Sequence, residues 1–183
     1  MEIDEKIFGE KIDVELENFT RVKHKNPYIL GIIKDGDKEL TVYIGKNGLK
    51  IFPFSSENFI KLIFAIRGSD KTTGIFTDGN REGFSVVLVE KGRIKKIFLC
   101  KVKGTSNENE TSAILFAVKK FPQYRIFSDS LIAIKRVSRF IDRRRIVKVR
   151  AHSGVLWNAI ADTILKYIDE ICQDKHCVEI SGC

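Results

Sequence analysis

The sequence lacks any apolar run near the roughly 20 residues that a membrane-spanning helix needs, so no membrane partner is expected. It also lacks the basic-then-apolar opening of a secretory signal; MEIDEKIFGEKIDVE is acidic instead. Internal repeats and low-complexity segments are missing, which excludes repeat arrays and flexible linker chains. Cysteine is sparse. Cys100, Cys172, Cys177 and Cys183 have no disulfide-framework spacing in a chain of this size, which fits a reducing compartment, and a cytoplasmic protein is expected. Cys172, His176, Cys177 and Cys183 are poorly spaced for zinc, and their role stays open.

What is present supports a folded chain with a polyanionic partner. Hydrophobic residues make up 43% of 183 residues, with 13 Phe for a core, and charged residues make up 31%. The net charge of +8 is unevenly spread. Residues 1–70 carry 11 basic and 12 acidic side chains, whereas residues 71–183 carry 21 and 12. The surplus belongs to the second part. The polar link SDKTTG at 69–74 is the natural boundary, so a small module over 1–70 and a larger domain over 71–183 are expected.

Residues 2–17 carry seven acids and two lysines and read as an acidic strand or a loosely held arm. YILGIIK, ELTVYIG and LKIFPF, separated by Asp35-Gly36-Asp37 and Lys46-Asn47-Gly48, read as an antiparallel meander. Serines at 55 and 56 then open an apolar-faced helix ending at Gly68, giving β-β-β-α. The second part reads β-β-β-α-β-α-β-α. Its strands are GIFTDG, FSVVLVEKG, RIKKIFLCKVKG, YRIFSDS and IVKVRAHSG, and its helices are NENETSAILFAVKKF, SLIAIKRVSRFI and LWNAIADTILKYIDEI. Three antiparallel strands followed by two helix-connected ones predict an α/β fold, a mixed five-stranded sheet with helices on both faces.

Four acids stand at strand ends or on helix faces among apolar neighbours: Asp78, Glu110, Asp129 and Asp162. Taken singly, each has a local explanation as a turn, cap or wet-face residue. Taken together, they suit two-metal phosphodiester hydrolysis, in which hard oxygen ligands hold two divalent cations close together. Surrounding positive charge would hold the nucleic-acid backbone.

Thr77-Asp78-Gly79, Asn107-Glu108-Asn109-Glu110, Ser128-Asp129-Ser130 and AHSGVLWNAIAD resemble type 1 ribonuclease H in order and spacing. That family has T-D-G on its first strand, N-x-x-E on its first helix and S/T-D-S on its fourth strand. It closes with H-x-G, an Asn, and an Asp ten residues after the His, as His152, Asn158 and Asp162 do here. The resemblance implies an endonuclease that cuts the RNA strand of RNA/DNA hybrids. Asp78, Glu110, Asp129 and Asp162 would hold two Mg2+ ions, with Mn2+ as a substitute. His152 would assist proton transfer or product release, Asn107 would contact the minor groove, and backbone near Gly79 and Glu110 would read ribose 2′-hydroxyls. Asn158 would support the loop. Two departures concern substrate grip: Leu131 replaces a common Gln, and only IDRRR joins the second helix to the fifth strand, so Arg143, Arg144 and Arg145 either contact phosphate or form a solvated turn. The rival readings are a nuclease for DNA or structured RNA, and a non-catalytic nucleic-acid-binding protein of the same fold.

KNGLKIFPFSSENFIKLI in the first part resembles the Pur-alpha and transcriptional-coactivator type of module. The likeness implies single-stranded nucleic acid as a partner and dimerisation through helices. Phe19 and Tyr28 or Tyr43 are the rings available to stack on bases. The alternative is an accessory sheet that only packs or dimerises.

Overall fold

Alternating apolar residues between tight turns make the first 70 residues a set of short antiparallel strands. In the computed structural model, which describes residues 2–7, 10–26, 28–45, 48–68, 71–149 and 156–182, they form two sheets. The acidic segment is a hairpin, β1 (Glu2–Ile7) with β2 (Glu10–Leu16), rather than a loose arm. Strands β3 (Phe19–Arg21), β4 (Ile29–Asp35), β5 (Lys38–Gly45) and β6 (Gly48–Phe52) form the expected meander. Gly36, at φ +62°, makes the β4–β5 turn; Lys46 and Asn47 lie outside the described residues. Helix α1 (Ser56–Phe64) starts where Ser55 accepts the Asn58 N–H at 3.1 Å. It stops earlier than expected, because Ile66–Gly68 leaves the helix as a short strand, β7, and pairs with β2.

The second part is a six-stranded mixed sheet in the order β12-β11-β8-β9-β10-β13. Strands β8 (Gly74–Gly79), β9 (Gly83–Glu90) and β10 (Arg93–Lys101) form the antiparallel meander, turned at Lys91 and Gly92, both with positive φ. Helix α2 (Ser106–Lys120) crosses to β11 (Ile126–Ser128), and α3 (Leu131–Val137) crosses to β12 (Ile146–Lys148), both strands parallel to β8. The closing helix is broken by a 3-10 turn at Leu165–Tyr167 into α4 (Leu156–Ile164) and α5 (Ile168–Cys172).

The expected five strands become six. Cys177–Ser181, read as a tail, forms β13 and pairs antiparallel with β10, and a Cys100–Cys177 disulfide fastens it. This pair removes the cysteine-based case for a reducing compartment. It also takes Cys177 out of any zinc set. Among the described residues no helix is long and apolar enough to cross a membrane.

The alternation of the sheet sends its two faces into two cores. Ile75, Val86, Leu88 and Phe98 pack under α2 and α3. Phe76, Val87, Val89, Ile97 and Leu99 face α4, α5 and α1. The second core also includes Leu30, Ile33, Val42 and Ile51 of the first meander, so α1 lies between the two sheets. Phe59 of α1 stacks on Tyr167 at 5.3 Å, and the Glu17 carboxylate accepts from Arg67 and from Arg93, the latter at 2.6 Å.

Candidate metal centre

Register alone brings two of the four acids together. Strands β8 and β11 are parallel neighbours with Phe76 opposite Phe127, and those rings stack at 4.6 Å. Asp78 and Asp129 each come two residues later, so both carboxylates leave the same edge of the sheet side by side. That edge collects the carboxyl ends of the parallel strands and the starts of α2, α3 and α4. Open α/β sheets place ligands at this edge.

Glu110 reaches the pair because Gly79 has no side chain. A Cβ at Gly79 would stand 2.5 Å from Glu110 N and 2.7 Å from the Asn109 carbonyl carbon, so any larger residue would push α2 away. Buried Asn109 pins the approach: its Nδ2 donates to the Asn80 carbonyl at 2.6 Å and to the Val102 carbonyl at 2.8 Å. Asp162 approaches from α4 on the other side. There the buried Ser85 hydroxyl donates to the Ala161 carbonyl at 2.6 Å, fixing the turn that carries Asp162.

The outcome is a cluster in which one carboxylate oxygen from each of Asp78, Glu110 and Asp129 lies within 4.8 Å of the others. Asp162 is near enough to Asp78 to hydrogen-bond with it and raise its affinity for a proton. Burial, then the charges of Asp129 and Asp162, push the Asp78 carboxyl up to about 10; the Gly79 N–H, donating to Oδ1 at 2.9 Å, works against them. Burial also raises Glu110, opposed by a hydrogen bond from Ser130 and reinforced by the Asp129 charge. Ser130 in turn caps α3 by accepting the Ala133 N–H at 3.1 Å. Crowded like charges at a half-buried edge need a proton or a cation, and an all-carboxylate oxygen set fits a hard divalent ion. The triad could hold a metal ion.

The other expected site residues have distinct places. Asn107 is half-buried in the first turn of α2, and its carbonyl accepts the Thr111 hydroxyl at 2.7 Å. Asn158 is buried in the first turn of α4, and its Oδ1 has no hydrogen-bond partner among the described residues. His152 lies outside the described residues. The three arginines hold their own turn. Arg143 donates to the Ile146 carbonyl, Arg144 pairs with Asp142, and Arg145 bridges the Phe121 and Tyr124 carbonyls, each at 3.2 Å. Phe19, expected to stack on bases, is buried with its ring over Gly31.

Ser85, Asn109 and Ser130 position the acids; Asn109 and Ser130 stood inside the motifs without a role, and Ser85 was not singled out. A serine inside FSVVLV and an asparagine beside Glu110 were the available signals. No family model, curated protein or solved structure matches the chain in the three comparisons made.

Proposed function

We propose that the protein is a metal-dependent nuclease of ribonuclease H-like fold that hydrolyses the RNA strand of RNA/DNA hybrids. The observation that carries this reading is the convergence of Asp78, Glu110 and Asp129, with Asp162 against Asp78, on one sheet edge. The strand order β12-β11-β8-β9-β10, an antiparallel meander followed by two helix crossovers, supports the same fold reading.

Asp78, Glu110, Asp129 and Asp162 would hold two Mg2+, which in such sites supply Lewis acidity to the attacking water and the leaving oxygen. The chain's own residues do the positioning. The Gly79 N–H on Asp78 and the Ser130 hydrogen bond on Glu110 oppose the protonation that burial and crowding favour, and a bound cation would complete the change to the ligating form. His152 would move a proton at the leaving group or aid product release. With the Gly79 N–H committed to Asp78, reading of the 2′-hydroxyl falls to Asn107 and to groups around Glu110. Arg144, whose side chain is 90% exposed despite its pairing with Asp142, is the arginine of the three best placed to meet phosphate.

The test is a magnesium-supported assay on end-labelled RNA/DNA, RNA/RNA and DNA/DNA duplexes. The reading expects cleavage of RNA in the hybrid alone, abolished by Asp129→Asn. Cleavage confined to another duplex would replace the substrate assignment. Hybrid binding without cleavage would leave a binding protein, and activity surviving Asp129→Asn would remove the site.

A further inference from the structure

Strand β13 is lightly held at the edge of the second sheet. Val178 and Ile180 are half-buried against the core that α5 covers, while Cys177, Glu179 and Ser181 are exposed. Its ladder to β10 runs from Lys96–Ser181 to Cys100–Cys177, and the Lys96–Glu179 ion pair stands half in water, where such pairs add little. The bond between Cys177 and Cys100 is what fastens it. Cys177 is open to an external thiolate, whereas Cys100 is fully buried. Cys172, a buried free thiol, packs on the other face of β10 with Leu99 and takes no part.

The connection into β13 is short and strained. Residues 173–176 join α5 to β13, and the Lys175 N–H donates to the Cys172 carbonyl at 2.8 Å, closing a four-residue turn. Gln173 is the first central residue of that turn, at φ +51° and ψ −117°, a backbone state that favours glycine. A side chain there stores strain that an extended connection would release. A second copy of this chain offers an identical β10 edge and an identical Cys100. Exchange of β13 between copies would therefore keep every strand contact and change only the two connections. Short connecting loops under strain favour such exchange.

We propose that reduction of Cys100–Cys177 lets β13 swap between two copies, and that reoxidation seals the swapped dimer with Cys177 of each chain bonded to Cys100 of the other. A dithiol supplies the reducing step. Its thiolate attacks the Cys177 sulfur, and Cys100 leaves as a thiolate and takes a proton. The second thiol then releases Cys177 as the dithiol closes to its own disulfide. A disulfide oxidant reverses the sequence between chains. The partner is a second copy, selected by β10, and the exchange holds whether or not the chain cuts hybrids.

The test mixes the full chain in ordinary and heavy-nitrogen forms. The mixture is treated with dithiothreitol under native conditions, concentrated, reoxidised with oxidised glutathione and sized by analytical ultracentrifugation. The dimer is then digested without reduction, and mass spectrometry weighs its Cys100–Cys177 peptides. Linked peptides that pair a light chain with a heavy one are expected, and a mixture never reduced should stay monomeric with unmixed peptides. Gln173→Gly, which removes the strain, should lower the dimer fraction at least about fivefold. Cys183→Ser should leave it unchanged, and circular dichroism verifies that both variants fold. Protein that stays monomeric after reduction overturns the proposal. So does a dimer whose Cys100–Cys177 peptides are all unmixed, or one that Cys183→Ser abolishes. An equal dimer fraction in Gln173→Gly would overturn the strained connection as its cause.

Discussion

Two regions of this molecule carry features that a fold alone would not favour, and they are opposite in kind. At the β8–β11 edge, charge is concentrated and partly withdrawn from water: Asp78 is 5% exposed with three acids around it. On the β3–β6 face, apolar surface is left in water: Phe52 and Phe54 stay open, with exposed Lys50 on the same strand. Crowded carboxylates call for a small hard cation, whereas two exposed rings leave apolar surface uncovered. The first is built by close approach and buried hydrogen bonds, the second by leaving a sheet face uncovered. Perturbing one should therefore spare the other.

The largest expected effect belongs to neither region. Reducing Cys100–Cys177 frees β13 at the sheet edge opposite β12, and opening a loop of 77 residues should cost about 4 kcal/mol. The melting temperature should fall under reductant while the rise on adding Mg2+ persists in the reduced folded protein. Loss of the Mg2+ response would show that β13 supports the carboxylate edge.

Gly79→Ala sharpens the contrast more directly. Its Cβ would meet Glu110 N, so a loss of about 1–3 kcal/mol is expected from overpacking, together with a weaker Mg2+-induced stabilisation. Calorimetric melting with and without Mg2+ reads both, and a full Mg2+ response in this variant would detach Glu110 from the site.

A smaller effect for each pH unit, about 1.4 kcal/mol, follows from the crowding of charge. The Asp78 carboxyl holds its proton up to about 10 in the folded chain but releases it near the ordinary aspartate value, about 4, when unfolded. The folded state then binds the extra proton between those values, so metal-free stability should fall as pH rises through that window. Asp78→Asn should flatten the fall. Urea unfolding in EDTA across this range measures it, and parallel profiles would refute the crowding of charge.

Ser85→Ala is the mildest change. Loss of the hydroxyl leaves the Ala161 carbonyl without that donor and should cost about 1 kcal/mol, while loosening Asp162. A weaker Mg2+ response with nearly wild-type melting would fit; an unaltered response would make Ser85 purely structural.

The carboxylate edge was legible in sequence because each strand ends in Ile-Phe, then one residue, then Asp, a pattern that parallel pairing turns directly into proximity. The acids of the helices were joined to them by the motif spacing of the family resemblance. What escaped notice depended on partners far along the chain. β13 and its disulfide join residues 77 apart, and β7 exists only because β2 offers it an edge. Asn109 rather than Asn107 turns inward because α2 sits close over Gly79, a distance no local pattern encodes. Phe19 is buried for a similar reason, its ring resting against Gly31 of the next strand. Phe52 and Phe54 read as strand residues until the meander showed which face α1 covers.

Isothermal titration of Mn2+ into the nucleic-acid-free protein tests the central claim most directly, because it needs neither substrate nor turnover. Wild type should bind two ions, and Asp129→Asn should lose at least one of them while keeping its fold. Titration curves that are the same for both proteins, or flat for wild type, would contradict a metal centre at Asp78, Glu110, Asp129 and Asp162.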